Sequence, residues 1–158
     1  MKWIGFFTDL DGRIGRKTFW LATLTVLVVE LAAMFVAAMV AAAMTGDESL
    51  AADWPLDIVM LVFNYPQFII NAKRGHDRNI ATWVPAVFFV YSVVLDALAV
   101  SGWPRDSLMG DPLALAAYTP YGLIGLVLLI ELGFRKGKPG VNRYGPDPLA
   151  AQMLTVFS

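Results

Sequence analysis

From Thr18 to Met44 the chain is almost unbroken hydrocarbon, TFWLATLTVLVVELAAMFVAAMVAAAM. As an α-helix this run is roughly 40 Å long, more than the roughly 30 Å of hydrocarbon in a bilayer. A small water-soluble domain has no interior large enough to hide it. The run therefore predicts a membrane span that tilts or protrudes. Ala41 to Ala43 are small residues of the cleavage type. Even so, the stretch is about twice the length of a signal peptide's apolar region and reads as a retained span.

The rest of the chain agrees. Apolar types make up 58% of 158 residues and charged types 16%, against roughly 45–50% and about 25% in soluble domains. There is too little charge to coat a wet exterior. Three further apolar segments follow, at about 55–72, 83–101 and 113–134. The second is the weakest, because Asp57, Asn64, Pro66 and Gln67 interrupt it. The predicted architecture is an all-α integral membrane four-helix bundle in one domain, with residues 135–158 as a cytoplasmic tail. Trp3-Ile4-Gly5-Phe6-Phe7 is too short to span. It reads either as a headgroup-level arm or as a packed one.

Basic residues set the orientation. Lys2, Arg13, Arg16 and Lys17 precede the first span. Lys73, Arg74 and Arg78 lie between the second and third, and Arg135, Lys136, Lys138 and Arg143 follow the fourth. Only Arg105 lies on the other side. By the positive-inside rule both termini are cytoplasmic. Asp47, Glu48, Asp53, Asp106 and Asp111 fall in the outer loops, and Trp3, Trp20, Trp54, Trp83 and Trp103 near the span boundaries.

Composition also excludes several functions. With no Cys and a single His, His76, thiolate metal sites, disulfides and multi-His metal sites are impossible within one chain. A net charge of −1 argues against nucleic-acid binding and against disorder. No phosphate-binding loop, nucleophile elbow, zincin motif or dinucleotide fingerprint is present. Gly122-Leu123-Ile124-Gly125, inside an apolar span, reads as packing. No cofactor and no metal are expected.

The polar residues gather into three strings. They are Gly12-Arg13-Ile14-Gly15-Arg16-Lys17-Thr18-Phe19-Trp20, Ala72-Lys73-Arg74-Gly75-His76-Asp77-Arg78-Asn79 with Trp83 beyond, and Pro139-Gly140-Val141-Asn142-Arg143-Tyr144-Gly145-Pro146-Asp147-Pro148. In this order the strings resemble the domain-of-unknown-function 805 family, small bacterial inner-membrane proteins with about four spans. The resemblance covers nearly the whole chain. It implies location and topology and no activity.

All three strings fall on the same predicted membrane face. Arg13, Arg16, Lys73, Arg74, His76, Arg78 and Arg143 are placed to converge there, with Asp9, Asp11, Asp77 and Asp147 available as counter-charges and Asn142 beside them. One reading is an Arg–Asp and aromatic network that pins the segments together. A second is a site for an anionic headgroup or other phosphate, with His76 titrating nearby. A metal held by His76 and carboxylates is the weakest.

Within the spans, Glu30, Asn64, Gln67 and Asp96 are the polar residues to explain. Glu30 is the deepest acid and the costliest, with Asn64 and Gln67 as candidate partners by depth. Glu131 sits one helical turn before Arg135, which favours an ion pair. Ala33, Ala37 and Ala41 form a small-residue stripe suited to close helix approach. Pro66 and Pro85 are expected to kink or cap their helices.

The expected function is that of a noncatalytic membrane protein, an accessory, scaffold or assembly subunit of a larger complex. The alternative is a small transporter, channel or lipid-handling protein that uses Glu30 and the basic cluster. Expected partners are membrane lipids, anionic ones at the basic face, and other membrane proteins or further copies of the chain.

Overall fold

A computed structural model describes residues 2–45, 54–104 and 109–150. The helices are α1 (Lys2–Thr8), α2 (Arg16–Thr45), α3 (Trp54–Asp77), α4 (Trp83–Val100) and α5 (Pro112–Leu129). α5 runs directly into a π-helical turn, Ile130–Phe134. Among the described residues there is no strand, only an isolated bridge between Asn142 and Gly145. The expected loop acids Asp47, Glu48, Asp53 and Asp106, with Arg105 and the end of the tail from 151 on, lie outside the described residues.

Three helices are long and apolar enough to cross a membrane: Arg16–Met44, Trp83–Val100 and Pro112–Phe134. They match the first, third and fourth expected spans. The second falls in α3, which has 24 residues and thus a length of about 36 Å. It is more polar than the others and packs against both α2 and α4. Its Ile69, Ile70 and Ala72 are completely buried. The outer helices instead present Leu21, Val28, Phe35, Val87, Val90 and Val127 to the surroundings. A surface this apolar suits lipid, not water.

One sequence expectation needs correcting. Lys73 and Arg74 belong to α3 itself and not to a loop after it. The helix ends at Asp77; Asn79 in the following turn adopts a left-handed φ of 61°, and the Ile80 amide closes back onto the Gly75 carbonyl at 2.8 Å. Such a turn satisfies carbonyls that the helix end would otherwise leave open. Rigid helix therefore carries these cations, which is why their directions are fixed.

The prolines fall where they cost little. Pro85 lies in the first turn of α4 and Pro112 opens α5, where the missing N–H has no helical partner to lose. Asp111 caps α5 by accepting from the Leu113 and Ala114 amides at 2.8 and 3.1 Å. Pro66 lies inside α3, which continues through it.

Polar and aromatic contacts bind the helices laterally. The Tyr91 hydroxyl donates to the Ala117 carbonyl at 2.5 Å, joining α4 to α5. Phe88 stacks on Tyr121 with ring centroids 4.9 Å apart, and Phe68 on Phe89 at 4.8 Å. Gly125 accommodates Phe88, whose ring lies 3.3 Å from where a Cβ would stand. The small-residue stripe of Ala33, Ala37 and Ala41 walls a groove of about 630 Å³ between α2 and Pro55, Ile58 and Val59 of α3.

The short α1 is a packed arm. Phe6 and Phe7 rest on the core formed by Ile14, Phe19, Ala22, Val26, Ile70 and Leu132. The Tyr65 hydroxyl donates to the Thr8 carbonyl at 3.2 Å.

Candidate functional site

The three strings meet at one end of the molecule. Arg74 is at the centre, its side chain fully buried. From α3 its Nε donates to the Leu132 carbonyl at 2.7 Å and its Nη2 to the Arg135 carbonyl at 2.6 Å. Nη1 reaches the Ile14 carbonyl at 3.4 Å and is paired with Asp77 Oδ2. A planar five-donor guanidinium suits such divergent acceptors; a lysine would not reach them all.

The carbonyls it captures belong to a helix end. The last turn of any helix leaves its carbonyls without amide partners. Here the widened π turn aims them at side chains from other segments. Arg74 takes Leu132 and Arg135. The Trp20 indole N–H donates to the Gly133 carbonyl at 3.1 Å, and Arg16 Nη1 to the Phe134 carbonyl at 3.4 Å. Gly133 is required there, because a Cβ would stand 2.8 Å from the Trp20 ring. Cations at a helix C-terminus also complement its partial negative charge.

Asp77 is the second hub. Its Oδ1 accepts from Arg13 Nη2 at 2.9 Å and Nε at 3.3 Å, while Oδ2 takes Arg74. Arg13 also donates to the Gly140 carbonyl at 2.7 Å and the Lys138 carbonyl at 2.6 Å. The Lys138 amide donates to the Asp77 backbone carbonyl at 2.8 Å. The tail is thereby drawn so close that Gly137 has no room for a side chain. A Cβ there would lie 2.6 Å from Asp77 Cγ.

His76 anchors the tail's far loop. Its Nδ1 lies 3.0 Å from the Gly12 carbonyl, so Nδ1 carries the proton. Nε2 then accepts from the Thr82 hydroxyl at 2.8 Å, which joins α3 to the start of α4. Tyr144 stacks on the imidazole with centroids 3.8 Å apart and planes 5° apart. Arg143 lies over the Tyr144 ring at 4.7 Å. Asn142 donates to the His76 backbone carbonyl at 2.9 Å and accepts the Tyr144 amide at 2.8 Å. Burial pushes the His76 imidazole below its ordinary range, against the opposing pull of the Gly12 carbonyl. It is neutral at pH 7.

A family model described as a protein of unknown function, DUF805, matches residues 7–146. The chain belongs to the DUF805 family. No curated protein and no solved structure matches it. Each of the three strings that suggested the DUF805 resemblance contributes to the joint just described.

The remaining candidate residues divide by location. Arg78 pairs with Glu131, which also holds Arg135 at 2.6 Å. The expected i, i+4 pair is thus a three-residue cluster. Lys73 turns toward α1 and donates to the Phe6 carbonyl at 2.9 Å. Arg143 stacks and forms none of the ion pairs among the described residues. Asp147 likewise forms none of the ion pairs among the described residues, though the charge of Arg13 acts on it. Its carboxylate accepts the Leu149 and Gly140 amides at 2.9 and 3.1 Å, and these bonds hold its pKa below the usual carboxylate range. Asp9 accepts the Asp11 amide at 2.9 Å, a simple turn.

Deeper in the helices, the expected partners of Glu30 look elsewhere. Asn64 donates to Asp96 at 2.5 Å, and Gln67 to Asn71 at 3.2 Å. Position along two helices gave the right depth, but not the rotation about each axis that decides which side chains face. Asp96 is close enough to Glu30 for their charges to interact. Among the described residues no three His, Cys, Asp or Glu are grouped to hold a metal ion.

Sequence reasoning overlooked a pocket of about 470 Å³ beside the joint. It lies between the start of α2 and the tail, with Arg16, Lys17, Thr18, Lys136, Lys138, Asp147, Pro148 and Leu149 around it. Lys136 and Lys138 read in the sequence only as topology signals, and Lys17 as a neighbour of anionic lipid beside the N-terminal arm. The hint in the sequence was their position, directly before the first apolar run and directly after the last.

Proposed function

We propose that this protein is a noncatalytic integral membrane protein, an accessory or scaffold subunit of a bacterial inner-membrane complex. In this reading α2, α3, α4 and α5 all span, with both termini in the cytoplasm. The length of α3 and its packing between α2 and α4 support its counting as the fourth span. The bias of basic residues toward the joint end supports the orientation.

One observation carries the noncatalytic reading. The side chains of Arg13, Arg74 and Asp77 are nearly or fully buried, at 1%, 0% and 6% exposure, and each is spent on protein partners. A reaction centre needs groups with free valence toward a substrate; these have none to offer. The strings act as a mechanical joint that holds helix ends and tail in register.

Purification in mild detergent followed by native mass determination tests the accessory role. The expected mass exceeds that of a single chain, from a partner or from further copies. A monodisperse monomer without partners would overturn it.

Glu30 supports a second reading, transport. No described donor hydrogen-bonds its carboxyl, and the charge of Asp96 is near enough to act on it. Liposomes carrying the protein or its Glu30→Gln variant decide the matter. Proton and cation fluxes equal to those of empty liposomes eliminate transport.

A further inference from the structure

We propose that the pocket between the start of α2 and the tail binds the phosphate of an anionic membrane lipid. The inference rests on the membrane reading above and goes beyond it by assigning a ligand and a site. The pocket has a volume of about 470 Å³, ample for a phosphate and its glycerol. Besides Arg74, which is paired with Asp77, four cationic side chains border it: Arg16, Lys17, Lys136 and Lys138. None of them takes part in an ion pair among the described residues. Their state contrasts with that of Arg13, Arg74 and Arg78, whose charges are met by Asp77 and Glu131.

The acidic groups bordering the pocket do not neutralise these cations. Asp77 is shared between Arg13 and Arg74, and Asp147 is held by the Gly140 and Leu149 amides. An excess of positive charge remains around a concave, partly walled space. Phosphate is the anion that lysine and arginine serve best, and each such cation near a membrane surface strengthens attraction to anionic lipid severalfold.

The place favours a lipid over a free ion. The pocket opens where α2 enters its apolar run and where α5 leaves its own. Leu149, 60% exposed, lines it, and Phe134, 62% exposed, is tied through its carbonyl to the bordering Arg16. A lipid phosphate seated among the cations would leave its acyl chains running along the exposed Leu21, Leu24 and Val28 of α2. A free phosphate gains nothing from these apolar flanks.

The test uses the full chain in nanodiscs of phosphatidylcholine doped with phosphatidylglycerol, with lipid retention read by native mass spectrometry. The triple variant Lys17→Gln, Lys136→Gln, Lys138→Gln should lose phosphatidylglycerol preference by on the order of a hundredfold. The corresponding triple Lys→Arg variant should retain it, and so should Arg105→Gln, a single charge removed from the opposite predicted face. Circular dichroism checks that each variant is folded. Inorganic pyrophosphate serves as the competitor. Failure to compete assigns the site to lipid, whereas full displacement overturns the lipid assignment in favour of a free phosphate. Equal phosphatidylglycerol preference in the folded wild type and Gln variant overturns the site. Failure of the wild type to enter nanodiscs would instead sink the membrane reading itself.

Discussion

The two ends of the helices are held by different physics. At the basic end, Ile14, Phe19, Lys73, Arg74, His76, Asp77 and Leu132 are all buried. Almost every buried polar group there has a protein partner. Toward the other end, Val36, Met39, Val40 and Met44 of α2 are exposed, and a groove separates α2 from α3. Directional bonds fix the first region. The second is apolar surface that the surrounding lipid completes. Helix packing in a bilayer gains little from the hydrophobic effect, since lipid is as apolar as leucine. A fold in that solvent must draw its specificity from polar contacts and close shape, and this protein concentrates both at one end.

The difference can be broken most sharply at Arg74. Arg74→Leu strands Asp77 opposite Arg13 alone and frees the carbonyls of Leu132 and Arg135. Loss of one partner from a buried pair costs about 3–5 kcal/mol, read as a lowered midpoint of unfolding in SDS. Val36→Ala, on the exposed face at the other end, should shift that midpoint by less than about 0.5 kcal/mol.

Gly137→Ala comes next. The added methyl must displace the Asp77 carboxylate or the tail, and overpacking of this kind costs about 1–3 kcal/mol. Ala37→Leu at the groove adds more volume yet meets open space, so its effect should be the smaller of the two.

Acid should act on the basic end alone. Folded His76 is neutral with a pKa below its unfolded value, so the unfolded state binds more protons as pH falls. The stabilising contribution of neutral His76 is therefore complete above about pH 6.5 and is lost as pH drops through the folded pKa. Protonation places a cation between Arg143 and Lys73, and Asp11 only partly offsets it. Proteolysis at residues 139–147 should quicken at acid pH in the wild type. In His76→Gln that acceleration should shrink; an undiminished one would place the acid-sensitive group elsewhere.

The smallest effect is expected at Glu30. Glu30→Gln removes a charge but no described hydrogen bond, so stability should change by less than about 1 kcal/mol. A larger change would give the middle of the helices a polar anchor of its own and blur the contrast.

Much of this was legible in the sequence, for reasons that differ by residue. The run from Thr18 to Met44 could be nothing but a long apolar helix. The three strings stood out because charge is rare in this chain, and charge bias put them on one face. Partnerships were less legible. Asn64, a candidate partner of Glu30 by depth, bonds Asp96 instead, because depth along a helix says nothing of rotation about it. The π turn at Ile130–Phe134 has no signature in an apolar stretch. Its nearest clue is Gly133, needed only because Trp20 lies against it. Asp147 looks like a counter-ion in sequence and is a turn-builder in structure, where nearby amides reached it first. The lysines of the pocket were invisible as a site because exposed lysines are ordinary until a cavity joins them.

The central claim is that the Arg74–Asp77 pair couples the strings into one joint. A double-mutant cycle of Arg74→Leu and Asp77→Asn, followed by reversible unfolding in SDS, addresses it directly. The account predicts a coupling of about 2 kcal/mol or more between the two sites. Additivity within about 0.5 kcal/mol would contradict it, showing that the two residues contribute to the fold independently.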